Sequence, residues 1–340
     1  MEQVWITKNG PEEVLKVREA SDPAVGPGEV LIDVNAAGVN FADHLARMGM
    51  YPDAPKIPTV VGYEVAGVVR EVGGGAAALA PGDRVFAFTR FGGYSSVVSL
   101  PATQVFPLPK NLSFEEGAAI PVNYATAYLA LYYLGGLREG ESVLIHSAGG
   151  GVGIAGTQLA KLRGARVFGT ASSWKHDFIR KNGVDHPIDY RSLDFAEAVR
   201  SLTEDRGVDL IIDAVGGESF EKGYNLLAPL GRLVCFGVSS LTGGSKRNLL
   251  KALIGLAKMP KFRPIALMND NRSVAGLNLG HLWGELPRLR TAVMEMAPHF
   301  ESGALKPVIA EVVPFSRAPD AHRLLAGRKN IGKVVLKPGE

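Results

Sequence analysis

A glycine-rich stretch in the middle of the chain has residue types and spacing suited to binding a phosphate group. The segment VLIHSAGGGVGIAGTQLAKLRGA is typical of a strand, a tight turn and a helix in immediate succession. Gly150, Gly151 and Gly153, with Val152 between them, allow the backbone to approach a pyrophosphate closely. The helix would present free N–H groups and the positive end of its dipole to the same anion. The segment therefore predicts a dinucleotide site, with a purely structural turn as the alternative.

The end of the next strand indicates which dinucleotide would bind. In a site for NAD, an Asp or Glu about 20 residues beyond the loop accepts a hydrogen bond from the ribose 2′-hydroxyl. This chain has FGTASSWKH there, so Ser172, Ser173 and Lys175 could donate to a 2′-phosphate instead. Tyr190, after the following strand, is expected to flank the adenine or the phosphate. The pattern favours NADPH over NADH, and a Ser/Lys loop that simply faces water is the alternative.

Length and composition limit the class of protein that positions these residues. The chain has 340 residues, of which 46% are hydrophobic, and this predicts two well-packed globular domains. A formal charge of +3 is too small to indicate a nucleic-acid partner. Neither a signal peptide nor a transmembrane stretch is evident, so a cytoplasmic location is expected. Seven histidines are present, but no Ser/His/Asp arrangement is apparent.

The hydrophobic pattern changes twice along the chain. Residues 1–121 carry short alternating apolar runs broken by Gly and Pro, which predict a small, mostly β domain. Residues 122–306 alternate apolar strands with helix-length amphipathic stretches, and this predicts a parallel sheet with helices on both faces. Residues 307–340 are β-rich again and are expected to complete the first domain.

The order of several motifs resembles the medium-chain dehydrogenase/reductase superfamily, and within it the zinc-independent quinone oxidoreductases. The motifs are AAGVNFADHLARMGMYP, VVGYEVAGVVREVG, GDRVFAF, the AGGGVG loop and the terminal NIGKVVL. Stretches such as VNYATAYLAL and NGVDHPIDY look closest to the synaptic vesicle membrane protein (vesicle amine transport) branch. The resemblance implies an α/β fold with a GroES-like, mostly-β catalytic domain and a Rossmann domain with a doubly wound parallel sheet. It also implies an active site in the cleft between the domains and a homodimer that pairs through the last Rossmann strand, SVAGLNL.

Two positions in these motifs bear on the reaction. Zinc members of the superfamily carry a cysteine and a histidine where this chain has Asn40 and Tyr63. Zinc requires thiolate, imidazole or carboxylate ligands, so no metal is expected. Without a Lewis acid, a conjugated carbonyl is the favoured acceptor, because hydride addition to its β-carbon spreads charge onto the oxygen as an enolate. The predicted substrate is a small α,β-unsaturated carbonyl, either a quinone, an enone or an enoyl thioester such as an enoyl-CoA.

The resemblance also supplies candidate catalytic residues. Tyr51 has the Gly-x-Tyr-Pro context of related enoyl thioester reductases, so it is the expected hydrogen-bond donor or proton source. Its alternative role is packing on the cleft wall. Asn40 and Asp43 are expected to orient the nicotinamide ribose or the substrate, or simply to cap a helix. Tyr63 is expected to face the same cavity, where it either touches substrate or fills the volume left by zinc.

Further cofactor contacts are implied where the family binds nicotinamide and the rest of the dinucleotide. Thr126 is the expected partner of the carboxamide. The remaining candidates are Asn123, Val215, Gly216, Phe236, Gly237 and Asn330.

A basic segment, KRNLLKALIGLAKMPKFR from Lys246 to Arg263, has three open interpretations. It is a helix with a solvated basic face, a rim for the phosphates of coenzyme A, or an interfacial helix that contacts anionic lipid. The last belongs to an alternative function, a membrane-associated or regulatory NADPH-binding protein with little turnover.

Overall fold

The structure is a computed structural model that describes residues 1–76, 78–241, 254, 255, 257 and 259–339. The described residues divide into two compact units. One contains residues 1–125 and 280–339, and the other contains residues 126–241 together with the described residues up to Leu279.

The first unit is built mainly from β-strands. Its strands are β1 (Glu2–Ile6), β2 (Leu15–Glu19), β3 (Glu29–Val39), β4 (Thr59–Val60), β5 (Glu64–Val72), β6 (Arg84–Phe88), β7 (Val97–Pro101), β8 (Val105–Pro107), β15 (Ile309–Pro314) and β16 (Lys333–Lys337). The larger sheet has the order β15-β16-β3-β5-β6-β8, with β7 also paired to β3, and the smaller has the order β2-β1-β4. The C-terminal strand β16 pairs antiparallel with β3, so the tail contributes to the same sheet as the N-terminal segment.

Helices of the first unit cover an apolar core that includes Ile32, Val65 and Val334. They are α1 (Phe41–Arg47), α2 (Phe114–Gly117), the start of α3 (Pro121–Tyr128), α9 (Leu286–Glu301) and α10 (Ala318–Ala326). The alternation of strands and helices over residues 122–306 predicts that this segment belongs to the Rossmann domain, whereas the structure groups α9 with the first unit. There the Arg290 guanidinium donates to the Val105 carbonyl at 3.3 Å, and Asn111 donates to the Phe300 carbonyl at 3.0 Å.

The second unit has the predicted parallel sheet. Its strands are β9 (Ser142–Ile145), β10 (Arg166–Ala171), β11 (His186–Asp189), β12 (Val208–Asp213), β13 (Leu227–Cys235) and β14 (Ser273–Gly276), and its helices include α4 (Gly151–Leu162), α5 (His176–Lys181), α6 (Phe195–Leu202), α7 (Glu218–Leu226) and α8 (Pro264–Asp270). The strand order is β11-β10-β9-β12-β13-β14, which is that of a doubly wound Rossmann sheet. The apolar runs that predicted these strands are buried in its core, including Leu144, Phe168 and Ile211. In such a sheet the carboxyl ends of the strands form the ligand-binding edge.

Candidate functional site

Asp43 lies in the first turn of α1 and is completely buried. Its carboxylate accepts hydrogen bonds from the Asn40 backbone N–H at 2.8 Å, the Gly62 N–H at 3.0 Å and the Tyr94 hydroxyl at 3.0 Å. The contact with Asn40 is a helix-capping bond, so the capping alternative is confirmed. Burial raises the pKa of Asp43 to about 7, although the hydrogen bonds oppose this shift. Asp43 therefore joins the start of α1 to the turn at Gly62, and its part in orienting substrate stays a prediction.

The Asn40 side chain belongs to a buried ion-pair cluster that the sequence analysis missed. Its amide nitrogen donates to Glu64 Oε1 at 2.9 Å, and its amide oxygen accepts from the Lys333 ammonium at 2.6 Å. The Lys333 ammonium also contacts the Glu64 carboxylate directly. The side chains of Lys333 and Glu64 are 4% and 0% exposed. The signal available in the sequence was a lone charge inside an apolar strand, which occurs in both GYEVAGVV and GKVVL.

Tyr63 and Tyr51, two of the predicted catalytic residues, lie side by side in an aromatic cluster. Their rings meet edge to face with centroids 6.3 Å apart, and the Tyr63 ring lies 5.2 Å from that of Phe91. Tyr63 is buried, whereas Tyr51 is partly exposed. Burial and the nearby Asp43 carboxyl raise the pKa of the Tyr63 phenol well above its ordinary value. Tyr63 is therefore a neutral group in this cluster.

Three of the predicted cofactor residues are buried, two on α3 and one in the turn before β16. Asn123 and Thr126 lie about one turn apart on α3. Asn330 lies in the turn before β16, where its amide donates to the Gly332 carbonyl at 2.7 Å. This contact gives Asn330 a structural role, and the cofactor contacts of all three residues stay predictions.

The glycine-rich loop of the second unit has the predicted succession of strand, turn and helix. β9 ends at Ile145, and α4 begins at Gly151 with Gly150 as its N-cap. Gly153 packs so closely that a Cβ atom there would lie 2.3 Å from the Ser147 carbonyl oxygen. The first N–H groups of a helix have no partner within it. The loop fits a pyrophosphate, because glycine leaves these donors open to a ligand.

Polar residues follow the neighbouring strands at the same edge of the sheet. The hydroxyl oxygens of Ser172 and Tyr190 lie 3.4 Å apart. Lys175 is buried, with its ammonium 5.0 Å from the centre of the Trp174 ring. Hydroxyl and ammonium groups are the donors that a 2′-phosphate requires. These residues therefore fit the proposed phosphate in their chemistry.

A carboxylate that the sequence analysis did not consider, Asp189, lies in the same group. β10 and β11 pair in parallel with Ala171 opposite Asp189. The Arg191 N–H donates to Asp189 at 3.0 Å, and Ser173 also donates to this carboxylate. These hydrogen bonds hold the pKa of Asp189 below its ordinary value. Asp189 was missed because the rule for dinucleotide sites considers the strand after the glycine loop, whereas Asp189 ends the strand beyond it. We call Ser172, Ser173, Lys175, Asp189 and Tyr190 the ribose rim.

Asp213, at the end of β12, organises the loops that follow β12 and β13. Its Oδ1 atom accepts from the N–H groups of Val215 at 2.5 Å and Gly216 at 3.2 Å. The Phe236 N–H donates to the Asp213 backbone carbonyl at 2.9 Å, and a Cβ atom at Gly237 would lie 2.9 Å from the Ala214 carbonyl. The structure thus brings the four predicted cofactor residues of these loops together, with Asp213 as a supporting residue that the sequence analysis missed.

Asp213 also brings a serine and a histidine together, an arrangement that was not apparent in the sequence. The Ser219 hydroxyl donates to Asp213 Oδ2 at 2.6 Å, and His146 Nε2 lies 3.5 Å from Ser219 Oγ. Burial lowers the pKa of His146. Because the serine proton is directed to the carboxylate, the group lacks the order of a nucleophilic triad. It is a buried support for the loop after β12.

The described residues contain no group of three or more His, Cys, Asp or Glu side chains placed to hold a metal ion. No helix among them is both long enough and apolar enough to cross a bilayer. Most of the predicted basic segment, including Lys246, Arg247, Lys251 and Lys258, lies outside the described residues. Its three interpretations therefore stay predictions.

Comparison with known proteins matches parts of the chain to two family models. Residues 26–110 match the alcohol dehydrogenase GroES-like domain, and residues 182–336 match the zinc-binding dehydrogenase family. The chain is 42% identical to the synaptic vesicle membrane protein VAT-1 homolog of Rattus norvegicus over 326 residues. The matched region makes up 96% of this chain and 80% of that protein.

Two solved structures match nearly the whole length of this chain. The Escherichia coli quinone oxidoreductase complexed with NADPH has a TM-score of 0.87 and 30% identity over 99% of this chain and 100% of that chain. The CurK enoyl reductase has a TM-score of 0.86 and 28% identity over 99% of each chain. The predicted fold class is confirmed, and the chain belongs to the medium-chain dehydrogenase/reductase family of oxidoreductases, in the branch that contains the VAT-1 homologs.

Proposed function

We propose that this protein is a metal-free, NADPH-dependent reductase that delivers hydride to the β-carbon of an α,β-unsaturated carbonyl compound. The proposal rests on the contacts of Asn40 and Tyr63, which occupy the two positions that bind zinc in other members of the family. Asn40 is hydrogen-bonded to the Lys333 and Glu64 side chains, and Tyr63 packs on Tyr51 and Phe91. An amide and a neutral phenol are poor ligands for zinc. A zinc-dependent mechanism therefore does not fit these residues.

The two structural relatives support this choice of acceptor. Quinones and enoyl groups are both conjugated to a carbonyl, and one relative is a quinone oxidoreductase while the other is an enoyl reductase. Reduction of either type produces an oxyanion that is delocalised, so hydrogen-bond donors can stabilise it without a metal.

Each part of the proposed reaction is assigned to residues of this chain. The glycine loop at residues 150–153 would hold the pyrophosphate of NADPH, and Lys175 and Ser172 would hold its 2′-phosphate. Bound NADPH would supply the hydride. Tyr51 would donate a hydrogen bond, and then a proton, to the enolate, because its phenol is neutral beforehand. Tyr63 would form part of the apolar wall beside Tyr51.

The first experiment is NADPH oxidation by purified protein with a simple quinone, a short enone, and straight and branched enoyl-CoA thioesters, with NADH in parallel. We expect turnover of at least one conjugated acceptor with NADPH. Failure to bind any pyridine nucleotide would contradict the proposal. NADPH binding without turnover of any acceptor would instead favour the membrane-associated or regulatory alternative.

Tyr51→Phe is expected to lower kcat by about 100-fold, because a general acid contributes on the order of 10²–10⁴-fold. NADPH affinity should change little, since the substitution removes only one hydroxyl. Steady-state kinetics and nucleotide titration measure the two effects separately. Tyr133→Phe, at a tyrosine that is 48% exposed in the second unit, is the matched control. Wild-type turnover in Tyr51→Phe would remove this residue from the mechanism.

The expected homodimer is also part of the proposal. Among the strands that the structure describes, β14 lies at the edge of the parallel sheet and pairs with β13 on one side. An edge strand offers backbone donors and acceptors to a second copy of the chain.

A further inference from the structure

The ribose rim contains groups of opposite charge. Lys175 is buried, and its side chain packs against the glycine loop, since a Cβ atom at Gly149 would lie 2.8 Å from Lys175 Cδ. Asp189 is partly exposed at the end of β11. The pairing of Ala171 with Asp189 and the contact between Ser172 and Tyr190 place the two strand ends side by side. One rim therefore presents both a cation and a carboxylate.

The carboxylate also engages a donor that the phosphate would need. Ser173 donates to Asp189, and the backbone N–H of Arg191 donates to Asp189 at 3.0 Å. A 2′-phosphate at this rim would have to compete with Asp189 for the Ser173 hydroxyl. It would also meet the negative charge of Asp189, which repels it. A ribose 2′-hydroxyl has the opposite requirement, because it can donate to a carboxylate.

We propose that Asp189 is the specificity residue that limits the preference for NADPH and keeps NADH as a second cofactor of this protein. The inference rests on the proposed function, because it assumes that a pyridine nucleotide binds at the loop of residues 150–153. Selectivity is the difference between two affinities, and Lys175 and Asp189 affect that difference in opposite directions. The sequence rule that favours NADPH considers only the strand after the glycine loop, so it includes Lys175 and does not include Asp189.

The test is the dissociation constants of NADPH and NADH, measured by nucleotide fluorescence with the wild-type protein and with Asp189→Asn. Asparagine keeps the size of the side chain and an oxygen that accepts from the Arg191 N–H. We expect the affinity for NADPH to rise about tenfold, as removal of a unit charge near a doubly charged phosphate predicts. The affinity for NADH should stay the same or fall, so the ratio of the two constants changes by at least about tenfold.

Asp205→Asn is the matched control. Asp205 precedes β12 and so lies at the amino ends of the strands, at the opposite edge of the sheet from the rim. Its φ of 63° is a left-handed conformation that asparagine adopts readily. This variant removes the same charge and should leave both affinities unchanged.

The outcomes separate the inference from the proposed function. A wild-type protein that binds neither nucleotide would overturn both. Binding of both nucleotides with the same affinity ratio in wild type and Asp189→Asn would overturn the inference and leave the proposed function standing. An equal change in Asp205→Asn would assign the effect to overall charge and would also overturn it.

Discussion

Replacing Lys333 with methionine is expected to lower the free energy of unfolding by about 3–5 kcal/mol. The substitution keeps an unbranched side chain but leaves the Glu64 carboxylate, which is 0% exposed, without its cation. It also removes the 2.6 Å bond from the Lys333 ammonium to Asn40. An unpaired buried charge is costly because the low-dielectric interior replaces its hydration poorly. Urea unfolding at neutral pH measures the loss.

The same strand provides a control for this prediction. Lys337, at the end of β16, lies 3.7 Å from Glu115, but its side chain is 47% exposed. Exposed pairs contribute about 0–1 kcal/mol, so Lys337→Met should have a small effect. Adding Glu64→Gln to Lys333→Met should restore part of the lost stability, because the unpaired charge is then removed. Equal losses for the two lysine variants would contradict the assignment of Lys333 as half of a buried pair.

The cluster around Lys333 illustrates what local sequence patterns can predict. Alternating apolar residues indicated the strands that carry Glu64 and Lys333, and the structure contains both strands. The contact between Lys333 and Asn40 joins residues 293 positions apart, and no periodicity contains that information. A lone charge in an apolar strand signals a buried partner, but it does not identify the partner. The family resemblance identified Asn40 as the replacement of a zinc ligand. It gave no indication that Asn40 bridges the ion pair of Lys333 and Glu64.

The second unit was more predictable because its signals are local. Strand, glycine turn and helix follow one another within residues 142–162, so their geometry depends on neighbouring residues. The order of the parallel strands then follows from the alternation of strands and helices. The position of α9 was not predictable in this way. Its helical pattern is the same whichever unit it packs on, and the contacts of Arg290 and Phe300 place it in the first.

Asp189 lies on a strand that local sequence predicts, but its neighbours depend on long-range pairing between strands. The strand that carries it was recognised, and Tyr190 beside it was chosen as a cofactor residue. The pairing register that puts Asp189 opposite Ala171 is a property of the assembled sheet. Sequence reasoning therefore selected Ser172, Ser173, Lys175 and Tyr190 of the ribose rim, but it did not detect the Asp189 carboxylate among them.

The second large effect is expected from Gly153→Ala in the glycine loop. The new Cβ atom would lie 2.3 Å from the Ser147 carbonyl oxygen and 2.7 Å from Ala148 Cα. Both are backbone atoms, so the start of α4 must move away from the turn. The bound anion would then lose the field and donors of the helix N-terminus, worth up to about 2 kcal/mol, or about 30-fold in the Kd of NADPH. Overpacking should also lower the free energy of unfolding by about 1–3 kcal/mol.

Gly156→Ala, about one turn further along α4, tests whether the effect is specific to the loop. A Cβ atom there would meet Ile212 Cδ1 at 3.2 Å and Ile145 Cδ1 at 3.6 Å, which are the ends of flexible side chains. The higher helix propensity of alanine, about 1 kcal/mol, offsets this crowding. We expect Gly156→Ala to keep both its stability, within about 1 kcal/mol, and its NADPH affinity. Nucleotide titration and urea unfolding of both variants provide the comparison. Wild-type NADPH affinity in Gly153→Ala would contradict the placement of the pyrophosphate at this loop, because the backbone that is proposed to bind it cannot remain in place.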